Sequence, residues 1–228
     1  KRAPWRNMNY MMRFGNVLAK QSGYPGVRKK GLSVLKQAGT FWPDNHRVLT
    51  DYAIALFEND QYEAAHDVME RSLAINSDYV LSHSNLAVLY QLENKPAESL
   101  DAFFDAIAVC PPQYYNHVYG SIQHLLSEKS DFDYGGKLGT LKAHLESELR
   151  NGTPNPALIW DTWLFIALSM EGKEVETVLA SVATLAQTLS GTAASHAEDM
   201  IWALQSLANK GVLRLNCGGG TYTDPEGK

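Results

Sequence analysis

Bulky and small side chains recur at intervals of 34 residues over the first half of the chain. Between them, apolar positions keep the three- and four-residue steps of helices, and breaks rich in glycine, asparagine or proline divide each unit in two. Pro43 and Pro111 end the first and third units, because proline lacks the amide hydrogen that a further helical turn needs, and Ser77 takes that place in the second. The pattern predicts three helical hairpins whose paired helices approach closely at the small positions. The repeated columns are Leu18, Tyr52 and Leu86; Ala19, Ala53 and Ala87; Gly31, Ala65 and Ser99; Leu35, Met69 and Phe103; and Ala38, Ser72 and Ala106.

The second half of the chain keeps helical periodicity but loses this repeat. Residues 114–126 predict a first helix, and its partner follows only after a polar, glycine-bearing loop over residues 127–139. Further apolar stripes predict helices over residues 156–170 and 175–189, and a last helix over about residues 193–210. We expect the last helix to cover the open end of the preceding pair, as the terminal units of repeat proteins do.

The columns of the first half resemble the tetratricopeptide repeat (TPR) family, in which tryptophan, leucine, glycine and tyrosine are followed by alanine, phenylalanine and proline at set spacings. The resemblance extends over residues 12–113 and departs at the tryptophan position, where Gly15, Leu49 and His83 stand. It implies an all-α fold, a right-handed superhelical solenoid of antiparallel helix hairpins with a C-terminal capping helix. It also implies binding rather than catalysis. The third unit matches best, through Leu86, Ala87, Tyr90, Ser99, Phe103, Ala106 and Pro111.

The periodicity and the resemblance together predict a division of the chain into five parts. These are a basic N-terminal segment over residues 1–11, three TPR units over 12–113, degenerate TPR-like hairpins over 114–192, a capping helix over 193–215 and a flexible tail over 216–228.

Charge is unevenly distributed along the chain. The first 43 residues hold nine basic side chains and no acidic one, whereas the remainder carries a net charge of −14. A solvated basic end of the solenoid accounts for this pattern, and attraction to an anionic membrane surface or to an acidic partner are the alternatives. Nucleic acid is disfavoured, because the chain is acidic overall and its basic residues form no extended stripe.

The sequence shows no motif for nucleotide binding, metal binding or covalent catalysis. Residues 131–133 begin like a calcium loop but lack the third oxygen ligand and the closing glutamate. Glu63 and His66 have the spacing of a helical metal pair but stand alone. Cys110 and Cys217 lie far apart in the sequence and form no CxxC pair. We therefore expect no catalytic residues, no metal and no cofactor.

The first helices of stacked hairpins line an inner curved face, and the residues that flank the packing columns point towards it. Basic and amide side chains at one end of this face, with aliphatic and aromatic ones towards the other, suit an extended or helical peptide. Ile54, Val88 and Ile122 share these positions, with packing among neighbouring helices as the alternative for them. The predicted partner-binding groove comprises Arg13, Asn16, Lys20, Arg47, Thr50, Phe57, Ser84, Asn85, Gln91, Tyr115 and Tyr119.

The carboxylate clamp of chaperone-binding TPR domains is poorly matched by this chain. Asn16 and Lys20 stand where the family has a lysine and an asparagine, but Asp51 replaces the asparagine of the second unit. Leu81 and Asn85 replace the basic pair of the third unit. Because an acid at this place would repel the terminal carboxylate of a peptide, a cochaperone role is disfavoured.

We predict a non-enzymatic protein–protein interaction scaffold that binds a protein or peptide segment in the concave groove of the solenoid. The alternative is a soluble regulatory or assembly domain of a larger membrane protein, in envelope glycan or secretion machinery, tethered through an N-terminal transmembrane segment. The chain starts at Lys1 without an initiating methionine, which favours a piece of a longer or processed protein and keeps this alternative open. The chain itself contains no run of 18 apolar residues.

Overall fold

The computed structural model describes residues 7–129, 132–170 and 175–210 of the chain. Helices account for most of these residues, and no strand occurs among them. A 3₁₀ turn, Pro112–Tyr114, precedes the seventh helix. The α-helices are α1 (Met8–Ala19), α2 (Pro25–Phe41), α3 (His46–Phe57), α4 (Tyr62–Ile75), α5 (Val80–Leu92), α6 (Pro96–Ala108), α7 (Tyr115–Glu128), α8 (Lys137–Asn151), α9 (Pro156–Met170), α10 (Val175–Ala186) and α11 (Gly191–Lys210).

The helices of the first half pack as three consecutive hairpins. The most extensive contacts join α1 with α2, α3 with α4, and α5 with α6, while α2 meets α3, α4 meets α5, and α6 meets α7. The first helices of successive hairpins also contact one another, from α1 through α3 and α5 to α7. This is the arrangement that the 34-residue repeat predicts, with the first helices sharing one face.

The small columns lie at the contacts between paired helices. Ala53 and Ala87 are completely buried, and so are Ala65 and Ser99 in the facing second helices. Gly31 makes the closest approach, since a methyl group at its Cα would lie 2.3 Å from the backbone nitrogen of Ala19. Only a hydrogen atom fits between the backbones of α1 and α2 at this point, which explains why the first unit carries glycine in the column.

The turns inside the second and third hairpins repeat as well. Asp60 and Asn94 stand 34 residues apart, and each adopts the left-handed conformation with φ of 60°. Aspartate and asparagine tolerate this conformation better than other residues with a side chain. Proline opens α2 and α6 at Pro25 and Pro96, where the missing amide hydrogen costs no helical hydrogen bond.

The chain divides into two compact units, of which the first ends at Lys137 and the second begins at Leu138. The loop predicted over residues 127–139 is shorter than expected, because α7 continues to Glu128 and α8 begins at Lys137. The Lys137 ammonium group lies 2.7 Å from the Asp101 carboxylate of α6, and both residues belong to the first unit. The predicted division at residues 113 and 192 stays a prediction.

The second unit is built around two tryptophans of α9. The rings of Trp160 and Trp163 meet edge to face with their centroids 5.4 Å apart, and each side chain is 1% exposed. The indole nitrogen of Trp160 donates a hydrogen bond of 2.9 Å to the carbonyl oxygen of Ala193 in α11. Leu141, Leu145 and Leu149 form the buried stripe of α8 that the sequence predicts. The predicted tail over residues 216–228 and most of the basic segment over residues 1–11 lie outside the described residues.

No helix in the described ranges combines the length and the apolar character that a bilayer span requires.

Replacing Gly31 by alanine is expected to lower the free energy of unfolding by about 1–3 kcal/mol, because the added methyl group overlaps the backbone of α1. Gly120 is the matched control, since it also lies inside a helix but has nothing within 4 Å of an added methyl group. Gly120→Ala is expected to raise the free energy of unfolding by about 0.5–1 kcal/mol, because alanine favours helix. Urea unfolding followed by circular dichroism measures both. Equal effects of the two substitutions would contradict the close approach of α1 and α2.

Candidate partner-binding surface

Polar side chains of α1 and α3 meet on the face that the first helices share. The Asn16 amide and the cationic groups of Lys20 and Arg47 all act on the Asp51 carboxylate. Burial removes water from this group and raises the pKa of Asp51, while Asn16, Arg47 and Lys20 oppose the rise. The surface therefore holds a partly desolvated carboxylate between two exposed cations, with Lys20 and Arg47 reaching solvent.

Arg47 links this group to the next hairpin. The charge of its guanidinium acts on the hydroxyl of Tyr79, the residue that precedes α5. Burial raises the pKa of Tyr79, Arg47 opposes that rise, and the nearby Tyr114 and Asp51 add to it. The Tyr79 ring also packs edge to face on His46, with centroids 4.7 Å apart.

These side chains belong to the first helices of four successive units or to residues next to the ends of those helices. We call them the inner polar cluster, which consists of Asn16, Lys20, Arg47, Asp51, Tyr79 and Tyr114.

Three hydroxyl groups form a buried network in the same hairpins. The Thr50 Oγ1 atom lies 2.9 Å from Ser72 Oγ and 2.8 Å from Ser82 Oγ, and the two serine oxygens are 3.0 Å apart. Thr50 and Ser72 also donate to the backbone oxygen of His46, at 2.8 and 2.9 Å. The network joins α3, α4 and α5, and its members satisfy one another where water is excluded.

Burial removes three residues from the predicted groove surface. Thr50 is 2% exposed because it belongs to the hydroxyl network, and Ser84 is fully buried, with its hydroxyl 3.1 Å from His117 Nε2. Tyr119 is 1% exposed and its ring packs edge to face on Tyr115, with centroids 5.4 Å apart. For Ile122 the packing alternative is correct, since the side chain is fully buried. None of these side chains offers area to a partner.

The other predicted groove residues keep some exposure, but the structure does not bring them all together. Arg13, Lys20 and Arg47 are exposed, and Asn16 is partly exposed beside them. Phe57 packs instead against the core around Leu49 and Ala53, with its ring 5.8 Å from that of Tyr62. The Asn85 amide donates to the backbone oxygen of Leu81 within its own helix. Gln91 and Tyr115 are partly exposed further along the same row of helices.

Sequence reasoning missed Tyr79 and Tyr114 as members of the surface. Tyr79 lies outside the helices that the periodic pattern marks, and Tyr114 is the first residue of the helix predicted over residues 114–126, so the pattern assigns neither of them to the inner face. The available signal was their place in the chain, since each stands just before the first helix of its unit.

The histidine considered as part of a metal pair has another partner. His66 Nε2 lies 2.8 Å from the Glu93 carboxylate, in an ion-pair contact whose direction is not that of a hydrogen bond. Lys95 binds the same carboxylate at 2.8 Å and holds the pKa of Glu93 below its ordinary value, with a further contribution from His66. Across the described ranges, no three histidine, cysteine, aspartate or glutamate side chains are grouped as a metal site would require.

The fold of this chain is similar to that of a solved structure. The TPR-like repeats of a kinesin light chain from Podosopora anserina superpose with a TM-score of 0.51 at 11% sequence identity, covering 92% of this chain and 100% of that one. The chain has a TPR-like helical-repeat fold. MamA superposes with a TM-score of 0.45 at 16% identity, covering 73% of this chain and 80% of that one. No family model and no curated protein matches the sequence of this TPR-like chain.

Replacing Asp51 by asparagine is expected to raise the free energy of unfolding at pH 7, because burial of this side chain favours a neutral group over a carboxylate. A carboxyl group whose pKa is raised by folding makes the folded chain less stable as the pH rises. The loss begins near the ordinary aspartate pKa, about 3.9, and is complete above the pKa in the folded state. The advantage of Asp51→Asn is therefore complete above the folded pKa and absent below the ordinary one. Urea unfolding between pH 3 and pH 7 measures it.

Asp105, which is exposed on α6, provides the matched control for this substitution. Asp105→Asn is expected to change stability little at any pH in this range, since an exposed carboxylate stays hydrated in the folded chain. An Asp51→Asn effect that is the same at pH 3 and at pH 7 would show that desolvation of the carboxylate is not its cause.

Proposed function

We propose that the chain is a non-enzymatic scaffold that binds an extended, acidic segment of a partner protein across α1, α3 and the start of α5. The observation that carries this proposal is the inner polar cluster, in which side chains from successive units meet on one face. The stacking of repeats brings side chains from separate hairpins together. A surface formed in this way suits a ligand that runs across the hairpins.

The charge of the surface supports an acidic partner. Lys20 and Arg47 are exposed, and Arg13 adds a third exposed cation on α1, whereas Asp51 is partly withdrawn from solvent and already paired. Carboxylates of a partner would meet accessible cations, and Arg47 presents a planar fork that fits a carboxylate through two hydrogen bonds. Complementary charge of this kind increases the rate of association and selects against basic competitors.

The aromatic members of the cluster support a partner that also carries apolar side chains. Tyr79 is fixed by Arg47 and by the ring of His46, so little conformational entropy is lost when a ligand packs against it. Tyrosine and arginine are the residue types that contribute most often to binding energy at the centres of interfaces.

Selection of displayed random peptides on the intact chain tests this proposal. The expected result is enrichment of peptides rich in aspartate and glutamate with interspersed apolar residues. Arg47→Glu is expected to weaken the best peptide about tenfold or more in fluorescence anisotropy, equivalent to about 1.4 kcal/mol. Tyr79→Ala is expected to produce a loss of similar size, because it removes an aromatic ring that lies beside Arg47.

Arg71→Glu is the matched control, since Arg71 is exposed on α4, a second helix. It makes the same change of net charge and is expected to leave peptide affinity unchanged. Equal losses from Arg47→Glu and Arg71→Glu would assign the effect to overall charge, and enrichment of basic or of no peptides would refute the proposal.

A further inference from the structure

The first helix carries an exposed aromatic stripe outside the inner polar cluster. Tyr10 is 51% exposed, Phe14 39% and Val17 62%, and the rings of Tyr10 and Phe14 stack with centroids 5.9 Å apart. A cavity of about 330 Å³ opens beside them, and its floor includes Met11, which is 4% exposed. We call this cavity the N-terminal groove, and it is lined by Tyr10, Met11, Phe14, Val34 and Gln37.

The repeat shows what normally covers this face. The positions 34 and 68 residues after Phe14 are Val48 and Ser82, and both are completely buried. Val48 packs with Ala38 of α2, and the Ser82 hydroxyl lies 3.0 Å from that of Ser72 in α4. In both cases the second helix of the preceding hairpin covers the face. The N-terminal groove is therefore shaped to receive a helix.

The last described helix carries a matching exposed stripe. Trp202 is 56% exposed, in contrast to Trp160 and Trp163, which are buried in the core of the second unit. Glu198 and Asp199 lie one turn before it on α11 and are exposed as well. An indole flanked by acidic side chains on a helix is a typical anchor for a helix-binding groove.

Side chains of opposite charge border the two exposed surfaces. No acidic residue occurs in the first 43 positions, and helical spacing places Lys30 one turn before Val34 and Arg13 one turn after Tyr10. The apolar groove is thus bordered by basic side chains, whereas Trp202 is bordered by acidic ones.

We propose that the N-terminal groove binds α11 of a second copy of this chain, with Trp202 inserted against Phe14 and Val34. Glu198 and Asp199 then lie near Arg13 and Lys30. The contact joins two different surfaces, so the association is head-to-tail and each copy supplies both a groove and an α11.

Sedimentation of the intact chain over a range of concentrations tests the proposal. The average mass is expected to rise with concentration and to fall when salt is added, because salt screens the charged rim. Trp202→Ala and Phe14→Ala are each expected to raise the apparent dissociation constant about tenfold or more. Arg71→Glu, on α4, is expected to leave the mass distribution unchanged. A wild-type chain that stays monomeric at all concentrations overturns the proposal.

Exchanging the charges identifies the two surfaces in contact. A groove variant, Arg13→Glu with Lys30→Glu, and a helix variant, Glu198→Lys with Asp199→Lys, are each expected to remain monomeric while keeping wild-type circular dichroism. Mixing them is expected to restore assembly, because the acidic groove of one variant accepts the basic helix of the other. Association of either variant alone, or no association of the folded pair after mixing, rules out this contact.

Discussion

The contact between the two backbones of each hairpin is the constraint on which the rest of the first unit depends. At Gly31 the second helix approaches so closely that a methyl group would lie 2.3 Å from the backbone of Ala19. Ala65 and Ser99 repeat that contact with residues that are nearly as small. Because the small residue recurs every 34 positions, each hairpin has a similar spacing between its helices, and successive hairpins can stack in register.

Stacking in register is what brings distant residues of the chain together. Arg47 and Tyr79 are separated by a complete second helix in the sequence, yet the charge of Arg47 acts on the Tyr79 hydroxyl on the common face of the first helices. Below them, Thr50, Ser72 and Ser82 bond to one another and to the backbone of His46, which removes unsatisfied polar groups from a dry contact between hairpins. The buried network holds the helices that position the surface, so stability and binding depend on neighbouring residues with separate roles.

The sequence predicts the architecture well, because the repeat acts through residue size. The all-α fold, the three hairpins and the bounds of α9 follow from columns and stripes that depend only on helical periodicity. The site is predicted less completely. Helical position assigns Thr50 and Ser84 to the inner face but does not show how far the next hairpin covers them, and Tyr79 stands in a turn that periodicity does not describe. Nothing in the described residues tests the membrane-tethered alternative, which stays a prediction.

A repeat protein must end its stack at both termini of the repeat, and the residues at those ends show how it does so. Where a terminal helix only shields its neighbours, its outer face is expected to be polar. On α1 and α11 the outer faces instead carry Phe14 and Trp202, whose exposure to water is unfavourable by an amount that grows with their apolar area. Opposite charges surround the two faces, and like faces therefore repel each other while unlike faces attract. Hydrophobic area thus supplies the tendency to associate, and the charge asymmetry between the beginning of the chain and the rest determines which faces meet.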